Sequence, residues 1–249
     1  MITKIRRKNQ DLEQLNSKNN CFQNESSGFR SSCPRDRRLL EITSEIRELI
    51  LDYHNRQRSW VAAGKGGTFK MACRMGMMQW DDELALLAEY NVKRCAVKRD
   101  ACLRTVRFAS PGQNIGFSTS ANQRPLKEMV EVIIKKWIQE IEKVKPEYIY
   151  SYRDNPEHFS LVMVNDHNIR VGCAAADYTV YHESDYTLCT LLTCNYAASN
   201  KYGDPVYDAN CTKPAVKCLS ATKTKFLGLC SADEKYILNN CPSNEDLME

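Results

Sequence analysis

The sequence predicts an α+β fold in which helices pack on a small sheet, or a three-layer α-β-α version of that arrangement. Three segments with helical hydrophobic periodicity come first, and two segments rich in β-branched and aromatic residues follow them. Twelve cysteines in 249 residues add a disulfide framework. Hydrophobic residues make up 43% of the chain and charged residues 27%, which is typical of a globular protein with a sizeable core.

The first two predicted helices carry start signals. Thr43 or Ser44 can cap the first helix, whose apolar face follows i, i+3, i+4, i+7 spacing at Ile46, Leu49, Ile50 and Tyr53. The run Trp80–Glu83 predicts a second start, because acidic side chains favour the positive end of the helix dipole. Leu84, Leu87, Ala88 and Cys95 then share one face, so we expect Cys95 at the end of this helix, where a disulfide can hold it.

A third helix is predicted from Pro125 to about Val144, because proline suits a first turn and Pro146 stops the helix. Its apolar face consists of Met129, Val130, Ile133, Trp137, Ile141 and Val144. Glu140 falls inside that face. A carboxylate there is costly unless it is paired or lies in a wet cleft, so Glu140 needs a partner.

The remaining pattern predicts a turn at Pro111-Gly112, a helical turn or two over His158–Val164, and strands over 169–176 and 186–197. Cys173 and Cys194 lie in these strands and can be bridged. After Tyr207, four cysteines fall between Cys211 and Cys241 with little apolar content, which indicates a small disulfide-held extension. We therefore divide the chain into a basic irregular arm (1–38), a central domain (39–207) and a cysteine-rich extension (208–249).

Charge is concentrated in the arm, which holds nine Lys/Arg and four Asp/Glu, a net charge of +5 in a chain of net +4. The rest is close to neutral, so we expect neither nucleic-acid binding nor a basic membrane surface outside the arm. No run of 18 apolar residues predicts a membrane span.

The cysteines are not spaced as the ligands of a zinc site are. They therefore predict disulfides in an oxidising compartment. Sequons at Asn24 and Asn210 agree with secretion and are candidate glycosylation sites. The first twenty residues contain no apolar core of a signal peptide. We expect that the secretory start is missing from this chain.

Motifs between residues 33 and 241 resemble, in order and spacing, those of the CAP superfamily, which comprises cysteine-rich secretory proteins, antigen 5 and pathogenesis-related 1 proteins. The chain is most similar to insect antigen 5-like (venom allergen 5-like) secreted proteins. The matching motifs include Ile50–Asn55, Gly112–Gly116, His158–Ser160, Val171–Ala176, Cys194–Tyr196 and Gly203–Tyr207. The resemblance implies an α-β-α sandwich with a broad surface cleft and an extracellular life.

Many members of this superfamily line the cleft with two histidines and two acids. The resemblance assigns the second histidine to His158 and the second acid to Glu140, but Gln113 and Arg99 replace the other two. Arg99 is a permanent cation that cannot ligate a metal and that can pair with Glu140 or Asp100. We therefore expect no metal, no cofactor and no catalytic residues at these four positions.

The resemblance also implies two disulfides, Cys33–Cys95 and Cys173–Cys194. Cys21 and Cys102 lack their family partners and are candidates to pair with each other. Cys73 and Cys189 are extra, and a bridge between them is one possibility. The four C-terminal cysteines permit three pairings, and the sequence does not choose among them. The family motif makes His54 a packing residue.

These features predict a secreted, non-enzymatic protein that binds a lipid, a sterol or a protein receptor in a fluid such as saliva, venom, haemolymph or reproductive fluid. The alternative is a metal-assisted hydrolase or protease using His158 and Glu140. A third hypothesis makes the Cys211–Cys241 extension a channel or receptor ligand. No serine-elbow or catalytic-cysteine signature is present.

Overall fold

The computed structural model describes residues 28–64, 69–105, 107–153, 159–182, 185–220 and 225–236. Its helices are α1 (Ser44–Ala62), α2 (Asp82–Val92), α3 (Leu126–Gln139), α4 (Glu147–Tyr150) and α5 (Phe159–Met163), with a 3-10 turn at Glu140–Lys143. Its strands are β1 (Arg38–Leu40), β2 (Met75–Gly76), β3 (Gln79–Trp80), β4 (Gly112–Ser120), β5 (Arg170–His182), β6 (Asp185–Tyr196) and β7 (Leu229–Cys230).

The main sheet has the order β1-β5-β6-β4 with antiparallel neighbours, and β3 pairs in parallel with β5. Helix α2 covers one face, where Ala88 and Val92 share a core cluster with Ile115 of β4. Helices α1, α3 and α5 cover the other face, where Ile133 packs with Leu192 of β6. Helix, sheet and helix layers therefore form the predicted three-layer α-β-α sandwich.

Two sheet glycines let the helices approach the strands closely. A Cβ atom on Gly172 of β5 would lie 2.1 Å from the Ala85 amide nitrogen of α2. A Cβ atom on Gly116 of β4 would lie 2.5 Å from the Ile133 side chain of α3. Substitution at either glycine would push a helix off the sheet, most severely at Gly172, because backbone atoms cannot rotate away.

The local start signals are confirmed. The Thr43 hydroxyl accepts a hydrogen bond from the Ile46 amide at 3.4 Å, and Asp81 caps α2 through the Glu83 and Leu84 amides at 3.0 and 3.2 Å. Helix α3 begins after Pro125 as predicted but ends at Gln139, five residues before the predicted end. The 3-10 turn at Glu140–Lys143 follows directly.

The two strands are confirmed: β5, with 13 residues, is longer than the predicted 169–176, whereas β6 has the predicted length and begins one residue before the predicted 186–197. Strand β4 was missed, because only a turn was predicted at Pro111-Gly112. Its first residues are glycine and amides that show no strand pattern. The nine residues of β4 are held in the sheet by pairing with β6 from Gly112↔Tyr196 to Ser120↔Leu188.

The disulfides Cys33–Cys95 and Cys173–Cys194 are confirmed. The proposed Cys73–Cys189 bridge is wrong. Cys73 is bonded to Cys211, because the Cys73 amide binds the Asp208 carbonyl at 2.8 Å and brings that segment alongside. Cys189 is a free thiol buried on β6.

Of the four C-terminal cysteines, Cys218 pairs with Cys230, and Cys211 reaches out to the main domain. Cys102 is disulfide-bonded. The predicted partner Cys21 and the predicted disulfide at Cys241 lie outside the described residues.

The extension shares a core with the sandwich. Ala209, Phe226 and Leu229 belong to one buried cluster with Val61 of α1, and β7 pairs in parallel with β2. Glu234 forms hydrogen bonds that link the extension to Arg74. Burial by itself raises the pKa of Glu234, but hydrogen bonds from the Leu219 and Ser220 amides, the Ser220 hydroxyl and Arg74 outweigh it and hold that pKa at about 2.

Candidate functional site

Glu140, one of the four predicted cleft residues, lies where α3 passes into the 3-10 turn. Its carboxylate Oε2 accepts a hydrogen bond from the Phe159 amide, the first residue of α5, at 3.0 Å. The side chain is half-buried, so this bond offsets part of its lost hydration. His158, the predicted neighbour of Glu140, lies outside the described residues. The hydrolase alternative that depends on this pair therefore stays a prediction.

Gln113 and Arg99 meet at the start of β4. The Gln113 side chain is 2% exposed and makes a paired contact with Asp100: Oε1 accepts from the Asp100 amide at 3.0 Å, and Nε2 donates to Asp100 Oδ2 at 2.7 Å. The Arg99 guanidinium lies on the surface and donates to the Gln113 carbonyl at 2.8 Å. The expected pairing of Arg99 with Asp100 is wrong, because Arg94 takes that carboxylate at 2.6 Å.

Of the four predicted positions, the three that the structure describes have separate local roles. Gln113 and Asn114 point to opposite faces of β4, because side chains alternate along a strand. Gln113 contacts the loop after α2, whereas Asn114 donates to the Phe159 carbonyl at 3.0 Å on the α5 side. Glu140 and Asn114 hold the amide and the carbonyl of the same residue, Phe159. Among the described residues, no group of three His, Cys, Asp or Glu side chains is placed to hold a metal ion.

A buried hydrogen-bond chain behind Phe159 was not predicted as a unit. His54 of α1 is fully buried, with Nδ1 2.7 Å from the Ile50 carbonyl and Nε2 2.9 Å from the Tyr196 hydroxyl. A carbonyl can only accept, so Nδ1 carries the proton and Nε2 accepts from Tyr196. The Tyr196 hydroxyl in turn accepts from Asn114 Nδ2 at 3.1 Å. Burial lowers the pKa of His54 to about 4, so the ring is neutral at physiological pH.

An open apolar groove runs between α1 and the C-terminal end of α3. It encloses about 350 Å³. Its lining residues are Tyr53, Arg56, Gln57 and Trp60 of α1, with Ile138, Gln139, Ile141 and Glu142 opposite. Trp60 is 38% exposed, an unusual position for so large an apolar side chain. Tyr53 and Trp60 are seven residues apart on one helix face, the sequence signal that could have revealed this groove.

Gln57 provides a polar group at the groove wall. The residue is 6% exposed, and its Nε2 atom is buried with no hydrogen-bond partner among the described residues. A buried donor without an acceptor costs about 1–3 kcal/mol. Arg56, at the polar edge, is paired with Asp52. The groove can therefore hold an elongated apolar group.

A second cavity of about 430 Å³ lies where the extension meets the end of α1, with Phe69, Met71 and Asn210 among its lining residues. Asn210 is exposed, as a glycan acceptor must be. Cys211, the middle residue of its sequon, is disulfide-bonded to Cys73. Glycosylation at Asn210 stays a prediction, and Asn24 lies outside the described residues. Within the described part of the chain, no helix combines the length and apolar character needed to cross a bilayer.

Comparison with known proteins independently supports the family resemblance that the sequence motifs indicated. Residues 51–196 match the family described as CAP: Cysteine-rich secretory protein family. The antigen 5 like allergen Cul n 1 of Culicoides nubeculosus is 39% identical over 149 residues, which covers 58% of this chain and 67% of that protein. Venom allergen-1 of Aedes albopictus is 32% identical over 218 residues, which covers 83% of this chain and 80% of the relative. The crystal structure of NaASP2 with Zn2+ superposes with a TM-score of 0.61 at 25% identity, covering 80% of this chain and 100% of that one.

Proposed function

Because the chain belongs to the CAP family of cysteine-rich secretory proteins, we propose that it is a secreted, non-enzymatic protein that binds a lipid or sterol in the groove between α1 and α3. The observation that carries this proposal is the apolar groove with an unpartnered donor, Gln57 Nε2, in its wall. Kinship with insect allergens supports release into a fluid such as saliva or venom.

The shape and chemistry of the groove favour an amphipathic ligand. Small-molecule sites enclose roughly 300–1,000 Å³, are lined mainly by apolar side chains and contain a few polar groups that orient the ligand. Trp60, Ile138 and Ile141 supply the apolar wall, and Gln57 supplies the orienting group. Because Nε2 is buried in the unliganded protein, the Gln57 side chain has to turn towards the groove; a hydroxyl or carboxylate oxygen of the ligand then accepts from Nε2 and removes the cost of the unsatisfied donor.

The chemistry around Glu140 supports binding over hydrolysis. Arg99, at the position of a family histidine, is a permanent cation that cannot serve as a general base or a metal ligand. The neutral Gln113 amide replaces a family acid and is occupied by Asp100. Glu140 holds the start of α5 through the Phe159 amide. Each of these groups stabilises local structure.

The proposal is tested by titrating the protein with two fluorescent probes, cis-parinaric acid and dehydroergosterol. We expect saturable binding of one probe, and Trp60→Ala should weaken it about tenfold because it removes apolar contact area. Gln57→Leu should weaken it several-fold through the lost hydrogen bond. Tyr202→Ala is the matched control, because Tyr202 is an aromatic that is 66% exposed and does not line the groove.

Glu140→Ala and His158→Ala complete the design. Probe binding that survives both changes places the ligand away from the four predicted cleft positions, as we propose. The proposal fails if neither probe binds, or if Trp60→Ala and Tyr202→Ala bind the probe equally well.

A further inference from the structure

A concentration of positive charge lies in two segments that a disulfide joins. Residues 28–38 and 93–104 carry nine Lys/Arg and two Asp/Glu, a net charge of +7, whereas the whole chain has a net charge of +4. The Cys33–Cys95 bond links the segments, and the Arg30 amide binds the Lys93 carbonyl at 3.0 Å. Cations of the first segment, such as Arg35, and of the second segment, such as Lys98, are thereby brought near one another beside the end of α2, where Asn91 binds the Lys98 carbonyl at 3.0 Å.

Much of this charge is not neutralised locally. Asp177 pairs with Arg38, Glu89 with Lys93 and Asp100 with Arg94. The ion pairs between described residues involve none of the following four side chains, all at least partly exposed: Arg35, Arg37, Lys98 and Arg99. We call these four the basic patch.

Contacts inside the basic patch leave its charge available. Arg37 donates to the Pro34 carbonyl at 3.1 Å, and Arg99 donates to the Gln113 carbonyl at 2.8 Å. Both acceptors are neutral carbonyls, which orient the guanidinium groups without cancelling their charge. The four like charges in these two linked segments repel one another, which opposes folding unless a binding partner compensates. The repulsion is accordingly an indication of function.

We propose that the basic patch binds a linear sulfated polysaccharide of the heparin type. Arginine guanidinium groups make paired hydrogen bonds to planar or tetrahedral oxyanions, and three of the four patch cations are arginines. Clusters of this kind attract polyanions over a long range, and they bind by releasing counterions. A secretory protein meets such polyanions outside the cell.

Other polyanionic partners fit the surface less well. Single-stranded nucleic acid uses exposed aromatic platforms, but Phe29, the aromatic residue of the two segments, is half-buried against the core with Arg37 6.0 Å from its ring. A membrane surface needs an apolar wedge as well as charge. Among the residues of these two segments, all of which the structure describes, Val97 alone is a largely exposed large apolar side chain, at 53%.

The test measures binding of the full chain to heparin immobilised on a sensor surface, over a range of salt concentrations. The patch variant is Arg35→Ser/Arg37→Ser/Lys98→Ser. The control is Lys136→Ser/Lys145→Ser/Lys213→Ser, which removes the same charge from exposed positions outside the patch. Residues 1–27 are unchanged in both variants, so the difference between them isolates the patch.

We expect the patch variant to bind heparin at least about tenfold more weakly than the control at physiological salt, with the slope of log Kd against log salt reduced by about two to three. Chondroitin sulfate should bind more weakly than heparin, and hyaluronan, which lacks sulfate, weakest. Circular dichroism checks that both variants are folded.

The proposal is overturned if the two variants bind heparin equally, or if hyaluronan binds as tightly as heparin. Tighter binding of duplex DNA or of phosphatidylserine vesicles than of heparin at the same salt would also overturn it, in favour of a nucleic acid or a membrane surface.

Discussion

Two fully buried basic side chains, His54 and Arg58, lie one turn apart on α1 but differ in charge. Arg58 directs four hydrogen bonds at backbone carbonyls: Nε and Nη2 donate to Gly76 at 2.9 and 2.8 Å, and Nη1 donates to Met163 and Asn165 at 2.8 and 2.7 Å. His54 has one carbonyl acceptor, on Ile50. Burial lowers the pKa of Arg58 to about 10 and that of His54 to about 4. At neutral pH the first is therefore charged and the second neutral.

Burial lowers both pKa values by a similar amount, so the difference in charge follows from the ordinary values, 12.5 for arginine and 6.5 for histidine. Arg58 binds the carbonyl groups of β2 and of the C-terminal end of α5, and in doing so holds three chain segments together. His54 gathers a helix carbonyl and a hydroxyl, which suit a neutral ring. Nearby positions on one helix thus serve as a charged cross-link and as a neutral hydrogen-bond relay.

The largest effect is expected from Arg58→Met. The new side chain leaves three buried carbonyl groups without their donor, and backbone carbonyls cannot be mutated to compensate. We expect a loss of about 3–5 kcal/mol in the free energy of unfolding, measured by urea denaturation with the disulfides intact. Arg56→Met is the control, because Arg56 is exposed and paired with Asp52, and should cost less than about 1 kcal/mol. Similar losses for both variants would contradict the cross-link role.

The second largest effect is a loss of stability at acid pH. The pKa of His54 is about 4 in the folded protein against 6.5 in the unfolded chain, so only the unfolded state binds a proton between these values. Stability is therefore complete above pH 6.5 and falls as the pH decreases towards 4, by about 3 kcal/mol in total. His54→Gln should flatten this part of the stability profile. An unchanged profile in the variant would show that another group titrates.

The smallest effect is expected from Tyr196→Phe, which removes the hydroxyl between His54 Nε2 and Asn114 Nδ2. Loss of this link should lower the free energy of unfolding by about 1–3 kcal/mol, near the lower end if water fills the gap. The exposed Tyr202→Phe is the matched control and should change stability by less than about 0.5 kcal/mol. Equal values for the two tyrosines would show that the relay does not contribute to stability.

Local sequence signals predicted much of the fold because each was contained within a few residues. The caps at Thr43 and Asp81, the proline before α3 and the two long strands all follow from short patterns. Family resemblance supplied the Cys33–Cys95 and Cys173–Cys194 disulfides. Strand β4 escaped prediction because its first residues are polar or small, and their burial comes from β6 and α3.

The candidate sites were predicted less well than the fold. Resemblance grouped Arg99, Gln113 and Glu140 by their family positions, but in this chain Arg94 takes Asp100 and Glu140 caps α5. The groove and the basic patch each join residues from separate segments. Residues of α1 form only one wall of the groove, and residues of the arm form only one part of the basic patch.

Helix starts, strand-forming segments and the CAP family motifs can be read along this chain because near neighbours determine them. The partner of Cys73 and the protonation of His54 cannot. Cys73 meets Cys211 across 138 positions, and His54 meets Tyr196 across 142. Disulfide partners and pKa values depend on distance, burial and hydrogen-bond acceptors, and the packed helices and strands create these from parts of the chain that carry no local sign of one another.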